Sequence, residues 1–306
     1  MAERERGGRN IPAVGLGTSP FGKECDERTA EAVVRAALDF GIAHFDTADS
    51  YGPGRSGRAE QILGRALHGV RDRVFITSKV GTEFAGQPPS LSPDRIRAGI
   101  EASLRRLRTD YLDAYLLHVP DPATALDDAV DTLAELVDAG LVRAIGAANH
   151  HAEALLRAAG RSSAFTVVQD EYSLLRRDVE METLPACRRA ELDFVCYAPL
   201  AEGLLTGKYE RAEPALGRLS ARPARKNARW QTPQTRRALA RFLDLCAEAA
   251  LPPAQVALRW LLDQRDVTAV IPAATTVDQV AELASAVTVE IDRGLLAAVT
   301  DIDPMR

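Results

Sequence analysis

The stretch HFDTADSYG at residues 44–52 ends an apolar run with two acids and a tyrosine. Asp46 and Tyr51 stand where a buried strand would give way to a loop, so they are either turn residues or members of a proton-transfer site. Other apolar runs also end on polar residues, namely Thr18, Lys79, His118, Asn149, Gln169 and Tyr197. Taken singly, such residues are typical of solvated strand ends or satisfied core positions. Their recurrence at the ends of successive runs favours one shared site.

These residue types can combine to donate a proton. A tyrosine ordinarily has a pKa of about 10, and a nearby ammonium such as that of Lys79 lowers it by stabilising the phenolate. Asp46 would pair with Lys79 and offset the cost of burying its charge. His118 would hydrogen-bond a substrate carbonyl oxygen and polarise it. Because the sequence supplies neither an obvious nucleophile nor a set of metal ligands, the electrons must come from a bound hydride donor.

Eight short apolar runs alternate with amphipathic segments along the chain. The runs predict strands at 13–18, 43–48, 74–80, 113–118, 142–149, 165–170, 193–199 and 268–273. Most runs are apolar on successive residues, as in parallel strands covered on both faces. The amphipathic segments predict helices at 27–41, 57–69, 92–107, 126–140, 152–159, 180–190, 236–249, 254–264 and 277–285.

This alternation predicts an α/β fold, a (β/α)8 TIM barrel that forms a single domain over residues 1–306. A short N-terminal segment precedes the first strand, and an extended loop separates strands seven and eight. An open doubly wound sheet is disfavoured because no strand is followed by a GxGxxG fingerprint. Residues 206–233 of the extended loop are rich in Arg, Pro and small residues. They form either a solvated surface loop or a flap that covers a phosphorylated cofactor.

Composition limits the partners. The net charge of −5 gives no reason to expect a nucleic acid or an anionic membrane. The charged N-terminus does not resemble a signal peptide and no segment is apolar enough to span a bilayer, so we expect a cytoplasmic protein. The four cysteines are scattered without CxxC spacing, which predicts inert reduced thiols and no metal site. His150 and His151 lack a third ligand and are expected on a loop surface.

Six motifs in order carry a resemblance that covers nearly the whole chain. They are GIAHFDTADSYGPG, ITSKV, LRRLRTDYLDAYLLHVPDP, AIGAANH, VVQDEYSLL and YAPLAEGLLTGKY. Together they resemble the aldo-keto reductase superfamily. The resemblance implies a barrel that uses a nicotinamide dinucleotide without a Rossmann domain. It also implies a tetrad in which Tyr51 is the general acid and Asp46, Lys79 and His118 support it.

The resemblance further implies a set of cofactor contacts. Asn149 and Gln169 would bind the nicotinamide carboxamide, and the ring of Tyr197 would stack on the nicotinamide. The remaining predicted contacts are Thr18, Asp46, Leu200, Gly203, Lys208, Ala273, Thr275, Gln279 and Glu282. NADP(H) is the cofactor that the family implies, while NAD(H) is not excluded because the 273–279 segment lacks a Lys or Arg for a 2′-phosphate. An arginine of the flap, such as Arg218, Arg222 or Arg225, would compensate.

The expected activity is reduction of an aldehyde or ketone to an alcohol, or oxidation of a sugar or other alcohol in reverse. The alternatives are a cofactor-binding regulatory subunit with little turnover and a redox-neutral lyase or isomerase on the same scaffold. The substrate would be a small carbonyl compound or sugar, held in a partly apolar pocket. That pocket is predicted to contain Phe21, Tyr51, Phe84, His118 and Val119. Asp49 has no evident partner and is expected to be structural, and the oligomeric state is open.

Overall fold

The computed structural model describes residues 11–211 and 228–302. Eight strands follow one another around a single sheet, each parallel to the next. They are β1 Gly15–Gly17, β2 His44–Asp46, β3 Phe75–Val80, β4 Leu112–Leu117, β5 Val142–Ala148, β6 Phe165–Glu171, β7 Asp193–Tyr197 and β8 Val267–Ile271. A parallel bridge joins Val14 to Val270, and the Gly17 amide donates to the Pro272 carbonyl at 2.8 Å. These contacts connect the first strand to the last, so the predicted TIM barrel is confirmed.

Helices lie between the strands and after the last one. They are α1 Glu27–Asp39, α2 Arg58–Ala66, α3 Pro93–Leu107, α4 Leu126–Asp138, α5 Ala152–Arg161, α6 Thr183–Arg189, α7 Lys208–Arg211, α8 Pro233–Glu248, α9 Pro253–Asp263, α10 Val277–Ser285 and α11 Arg293–Thr300. Every strand end lies within two residues of its prediction. The helices α7 and α11 are absent from the sequence prediction, which placed the residues of α7 in the extended loop. Residues 212–227, the centre of the predicted flap with Arg218, Arg222 and Arg225, lie outside the described residues.

Two apolar layers hold the barrel together. Side chains such as Leu116, Val167 and Val195 pack inside the ring of strands, and a larger layer fills the space between strands and helices. Trp260 is 1% exposed and lies in that outer layer. Trp230, near the end of the predicted flap, is also buried there.

Local sequence explains where α3 begins. The Ser92 hydroxyl accepts a hydrogen bond from the Arg95 amide at 3.3 Å, and Pro93 occupies the first helical position. An N-cap serine followed by an N1 proline satisfies an amide that has no intrahelical acceptor. The cap fixes the start of the helix and therefore the face on which Arg95 lies.

No helix among the described residues is both long and apolar enough to cross a membrane. The four cysteines are unpaired and buried. Burial raises the pKa of the Cys187 thiol to about 12, which is consistent with the predicted inert thiols.

Candidate active site

A buried ion pair occupies the C-terminal end of the barrel. The Lys79 ammonium, 1% exposed, donates to Asp46 Oδ1 at 2.6 Å and to the Thr47 carbonyl at 2.8 Å. Burial tends to lower the pKa of Lys79, but the charges and hydrogen bonds of Asp46 and Tyr51 outweigh it and raise the pKa above its ordinary value. Lys79 is therefore charged inside the protein.

Asp46 is held from three sides. Its second oxygen, Oδ2, accepts from Gln169 Nε2 at 2.7 Å, and Thr18 Oγ1 donates to its main-chain carbonyl at 3.0 Å. Thr18, Asp46 and Gln169 are all buried. The sequence prediction gave Gln169 a cofactor contact and did not anticipate its bond to Asp46. Strands β3 and β6 therefore fix the Asp46 carboxylate, and Thr18, directly after β1, fixes its backbone.

Tyr51 and His118 complete the predicted tetrad. The Lys79 ammonium lies 5.2 Å from the centre of the Tyr51 ring. The rings of Tyr51 and His118 meet edge to face, with 5.8 Å between their centres. The four residues come from β2, the loop after it, β3 and the end of β4, so the barrel brings together side chains that span more than seventy positions of sequence.

His118 is neutral at ordinary pH. Burial, together with the positive charges of Lys79 and Arg55, lowers its pKa to about 3. Its Nδ1 atom is buried and has no hydrogen-bond partner among the described residues. Its amide donates to the Val80 carbonyl at 2.8 Å, which continues the pairing of β3 with β4. A neutral imidazole carries one N–H and can polarise a carbonyl without adding a charge.

Asn149 and Tyr197 form a second row beside the tetrad. Asn149 Nδ2 donates to the His118 carbonyl at 2.9 Å, and the Tyr197 hydroxyl donates to Asn149 Oδ1 at 2.7 Å. Asn149 has a φ of +61°, a backbone conformation that asparagine tolerates better than most residues. One amide N–H and one oxygen lone pair of Asn149 are left for a carboxamide partner. This donor set fits the predicted nicotinamide contact.

The turn after β7 offers a place for an anion. Residues 201–206 form a short 3-10 segment in which Glu202 and Gly203 have positive φ. A Cβ atom at Gly203 would lie 2.7 Å from the Lys208 ammonium, so glycine lets that ammonium approach the backbone closely. An exposed ammonium above a glycine backbone suits a phosphate group. Leu200, at the start of this turn, is partly buried.

The segment predicted to contact the adenosine end comprises the loop after β8 and the first turns of α10. Gln279 Oε1 accepts from the Thr275 amide at 2.8 Å, which directs its NH2 group away from the loop. Ala273 is partly buried, and burial raises the pKa of the Glu282 carboxyl. These positions hold hydroxyl, amide and backbone donors but no cationic side chain.

A cavity of about 540 Å³ opens beside Tyr51 and His118. The side chains around it are mainly polar or charged, namely Ser19, Lys23, Glu24, Ser50, Arg55, Thr82 and Glu83. The predicted partly apolar opening is therefore wrong for this cavity. The charged residues were missed because Lys23 and Glu24 follow a different strand, and only the barrel brings them near Tyr51.

The three apolar residues predicted for the pocket lie elsewhere. Phe21 is fully buried in the outer apolar layer. Phe84 packs against the guanidinium groups of Arg95 and Arg106, with 5.4 Å and 5.3 Å to its ring centre. Val119 is partly buried after His118 and is not in the cavity wall.

Two further expectations are wrong. Asp49 has a partner, because its carboxylate forms an ion pair with Arg95 and is 1% exposed. His150 is buried rather than on the surface, and its Nδ1 lies 2.8 Å from the Ala148 carbonyl. Within the described residues, no group of three or more His, Cys, Asp or Glu is arranged to hold a metal ion.

Comparisons with known proteins agree with this geometry. The sequence model of the Aldo/keto reductase family matches residues 13–304. YrpG of Bacillus subtilis (strain 168), named an uncharacterized oxidoreductase, is 35% identical over 314 aligned residues, covering 98% of this chain and 94% of the relative. Aldo-keto reductase YhdN of the same strain is 33% identical over 263 residues, covering 82% of this chain and 77% of the relative.

A third relative carries a different kind of name. A probable voltage-gated potassium channel subunit beta of Oryza sativa subsp. japonica is 31% identical over 276 residues, covering 86% of this chain and 83% of that protein. Proteins of the matched family generally bind nicotinamide cofactors. With the family match over almost its full length, the chain belongs to the aldo/keto reductase family and is an oxidoreductase.

Proposed function

We propose that the protein reduces an aldehyde or ketone to the corresponding alcohol with a reduced nicotinamide cofactor, or oxidises a sugar or other alcohol in the reverse direction. The observation that carries this proposal is a charged lysine buried between Asp46 and Tyr51, with a neutral histidine facing the same tyrosine. Such a group is suited to giving a proton to an oxygen that gains negative charge.

In this proposal each side chain has one task. A reduced nicotinamide, when bound, supplies a hydride to the carbonyl carbon. Tyr51 gives its hydroxyl proton to the carbonyl oxygen, so the C=O π bond is replaced by a C–H and an O–H bond. Lys79 stabilises the phenolate left on Tyr51, and Asp46 keeps Lys79 charged and in place. His118 donates a hydrogen bond to the carbonyl oxygen.

Other residues would hold the cofactor. Asn149 and Gln169 would contact the carboxamide, and the partly exposed ring of Tyr197 would pack on the nicotinamide. Lys208 and the turn around Gly203 would contact the pyrophosphate. Tyr197 also fixes Asn149 through its hydroxyl, so one residue would support the nicotinamide in two ways.

The cavity favours a polar substrate over a large apolar one. Ser19, Ser50 and Thr82 offer hydroxyl groups near Tyr51, and Arg55 and Glu83 add opposite charges at the wall. An apolar aldehyde would desolvate these groups without replacing their hydrogen bonds, and each such loss costs about 1–3 kcal/mol. The substrate class is therefore a small carbonyl compound that carries hydroxyl groups.

A single-turnover experiment tests the function. The protein is loaded with NADPH or NADH and mixed with hydroxylated and apolar aldehydes and ketones, while the absorbance of the reduced nicotinamide is followed. The expected result is rapid loss of that absorbance, faster with hydroxylated carbonyls. If tightly bound cofactor persists with every carbonyl, the reductase proposal fails.

The second candidate is a regulatory subunit that binds the cofactor and turns over slowly. It is favoured by the relative from Oryza sativa, which is named a channel subunit. The same single-turnover experiment separates the two, because a regulatory subunit would retain its reduced cofactor over many minutes. The intact Asp46, Tyr51, Lys79 and His118 favour the enzyme.

The cofactor preference gives a separate prediction. Since residues 273–279 hold no cation, we expect NADPH to gain little affinity from its 2′-phosphate. The measurement is the ratio of the dissociation constants of NADH and NADPH, obtained from protein fluorescence. A ratio within about tenfold, or 1.4 kcal/mol, supports this expectation. A much larger preference for NADPH would mean that a cation from outside this segment binds the phosphate.

A further inference from the structure

A second charged cluster lies behind the loop that carries Tyr51. It consists of Asp49, Glu60, Arg95 and Arg106, with the Tyr115 phenol beside them. Asp49 and Glu60 are 1% and 0% exposed, and the side chains of Arg95 and Arg106 are 18% and 13% exposed. Two acids thus balance two guanidinium groups in a buried region between the loop and α3. The proposed proton transfer uses none of these residues.

Asp49 connects this cluster to the catalytic loop. It stands three residues after Asp46 and two before Tyr51, and its amide donates to the Lys79 carbonyl at 3.1 Å. Its carboxylate pairs with Arg95 of α3, while its Oδ1 atom has no hydrogen-bond partner among the described residues. Burial, opposed by Arg95, raises the pKa of Asp49 to about 6. An apolar residue would avoid this cost of burial, so the buried pair is weak evidence of a gain in stability.

The far end of the same loop is also fixed from α3. Arg106 Nε donates to Glu60 at 2.6 Å, and the Ser78 hydroxyl donates to the other oxygen of Glu60 at 2.6 Å. Gly57, with a φ of +71°, ends the loop, and a Cβ there would lie 2.5 Å from Arg106 Nε. Glycine at this position therefore leaves room for the Arg106 guanidinium to reach Glu60. Helix α3 holds both the start and the end of the loop that carries Tyr51.

We propose that Asp49 and Arg95 are positioning residues that keep the Tyr51 hydroxyl beside the Lys79 ammonium. This inference rests on the proposed function of Tyr51 as the proton donor. Tyr51 lies in neither a helix nor a strand, and the residues after it form only a short 3-10 segment with a strained Arg55. The Tyr51 amide and carbonyl are hydrogen-bonded to Ala48 and Ala59, and the ion pair adds a side-chain restraint from a well-capped helix. Displacing a reacting group by about 1 Å can cost about 100-fold in rate.

The test uses Asp49→Asn, Arg95→Met and the conservative Arg95→Lys. In single turnover we expect the first two to lower the rate about 10- to 100-fold with unchanged cofactor affinity. Arg95→Lys keeps the charge and should recover most of the rate. The double variant Asp49→Asn/Arg95→Met should be no slower than the worse single variant, because both changes break one pair. If the rate losses of the two single variants multiply in the double variant, the proposal is overturned.

A second readout does not depend on turnover. Ionisation of Tyr51 is followed by ultraviolet difference absorbance, with Tyr51→Phe as the blank. We expect Tyr51 to ionise at higher pH in Asp49→Asn, because the phenolate loses contact with the Lys79 ammonium. Asp49 also faces Glu60, Arg106 and Tyr115, so replacing it changes more than the contact with Arg95. The titration is therefore repeated in Arg95→Met, which breaks the same ion pair and keeps Asp49. Unchanged ionisation of Tyr51 in both variants would overturn the proposal even if their activity falls.

The matched control is Arg97→Met. Arg97 lies on the same helix and pairs with Glu135 at 2.7 Å on the exposed face. We expect it to leave both the rate and the Tyr51 ionisation unchanged, and a change as large as that of Arg95→Met would contradict the proposal. If the wild-type protein transfers no hydride, the proposed function fails, whereas the Tyr51 titration still reports on the positioning.

Discussion

Lys79 keeps a full positive charge inside the barrel because one carboxylate is fixed beside it. Removing a single member of such a pair leaves the other charge buried without compensation, which typically costs about 3–5 kcal/mol. Asp46 would retain the hydrogen bond from Gln169, and Tyr51 would lose the ammonium that stabilises its phenolate. The same interaction therefore supports both the fold and the proposed chemistry, and the two contributions can be separated.

We predict that Lys79→Met lowers the free energy of unfolding by about 3–5 kcal/mol and abolishes measurable hydride transfer. Urea denaturation and single-turnover absorbance provide the measurements. The double variant Asp46→Asn/Lys79→Met removes both charges and should recover much of the stability without recovering the activity. Recovery of activity in the double variant would mean that the ammonium has no part in the chemistry. The surface control is Arg157→Met, an exposed partner of Asp127, which should change neither quantity.

At the scale of residues, sequence reasoning predicted that Asp46, Tyr51, Lys79 and His118 lie together, but not what surrounds them. Polar residues that end apolar strands are visible in the sequence, and the barrel geometry makes them converge. The ion pair between Asp49 and Arg95 joins residues 46 positions apart, and nothing local marks it. Asp49 and Asp46 look alike in the sequence. What distinguishes them is which helix or strand each carboxylate faces, and that depends on packing.

Asn149 directly follows β5, and Gln169 lies in β6. The distance between these two strands depends on a glycine. A Cβ at Gly146 would lie 1.8 Å from the Val167 carbonyl oxygen, far inside contact distance. The register of these strands shifts between Ile145 and Gly146, so the backbones approach closely at this point. Any side chain there must push the two strands apart.

We therefore predict that Gly146→Ala destabilises the protein by about 2–3 kcal/mol or more and weakens cofactor binding. The contrast is Gly160→Ala, because Gly160 lies in α5 and nothing surrounds its Cβ position within 4 Å. That change should leave stability equal or raise it by up to about 1 kcal/mol. Urea midpoints of the two variants and of the parent give the comparison. Equal stability of both variants would contradict the close approach of β5 and β6.

At the scale of elements, strand positions were predictable because parallel barrel strands are continuously apolar and end abruptly. The start of α3 was predictable from Ser92 and Pro93, whose capping chemistry is local. The helix α11 was not predicted, since its sequence RGLLAAVT is short, contains a glycine in its first turn and follows the last strand, although Asp292 caps its start. The 206–233 segment remains a prediction, because its centre lies outside the part of the chain that the structure describes.

For the whole molecule, buried histidines set the response to acid. His44, 1% exposed on β2, has Nε2 3.0 Å from the Thr77 hydroxyl. Burial, only partly opposed by Asp46, lowers its pKa from 6.5 to about 4. Between these pH values the unfolded chain binds the proton and the folded chain does not. The stability from neutral His44 is therefore complete above pH 6.5 and is lost as the pH falls towards 4.

We predict that the His44 contribution to the free energy of unfolding falls between pH 7 and pH 4.5, by about 3 kcal/mol over its full range, while Asp49, whose pKa is raised, acts in the opposite direction. In His44→Gln this dependence should be weaker, whereas replacement of the exposed His68 by Gln should leave it unchanged. Urea titrations at several pH values measure the slope. An identical slope in His44→Gln and the wild type would show that His44 is not responsible.

The barrel as a whole followed from the sequence because eight repeats of one pattern leave few alternatives. The character of the cavity did not follow, since residues from several loops meet only after the ring has closed. Phe21 shows the difficulty, because it stands close to Lys23 in sequence and yet packs entirely into the apolar layer. Which side of a loop faces the cavity is decided by the closure of the fold rather than by residue type.

The most direct test of the central claim concerns the Tyr51 hydroxyl. Tyr51→Phe is loaded with reduced cofactor and mixed with a carbonyl compound that the wild type reduces, and the nicotinamide absorbance is followed through one turnover. We predict a rate lower by about 100- to 10,000-fold with an unchanged dissociation constant for the cofactor, because only the proton donor is removed. A variant that keeps most of the wild-type rate would contradict the assignment of Tyr51 as the acid.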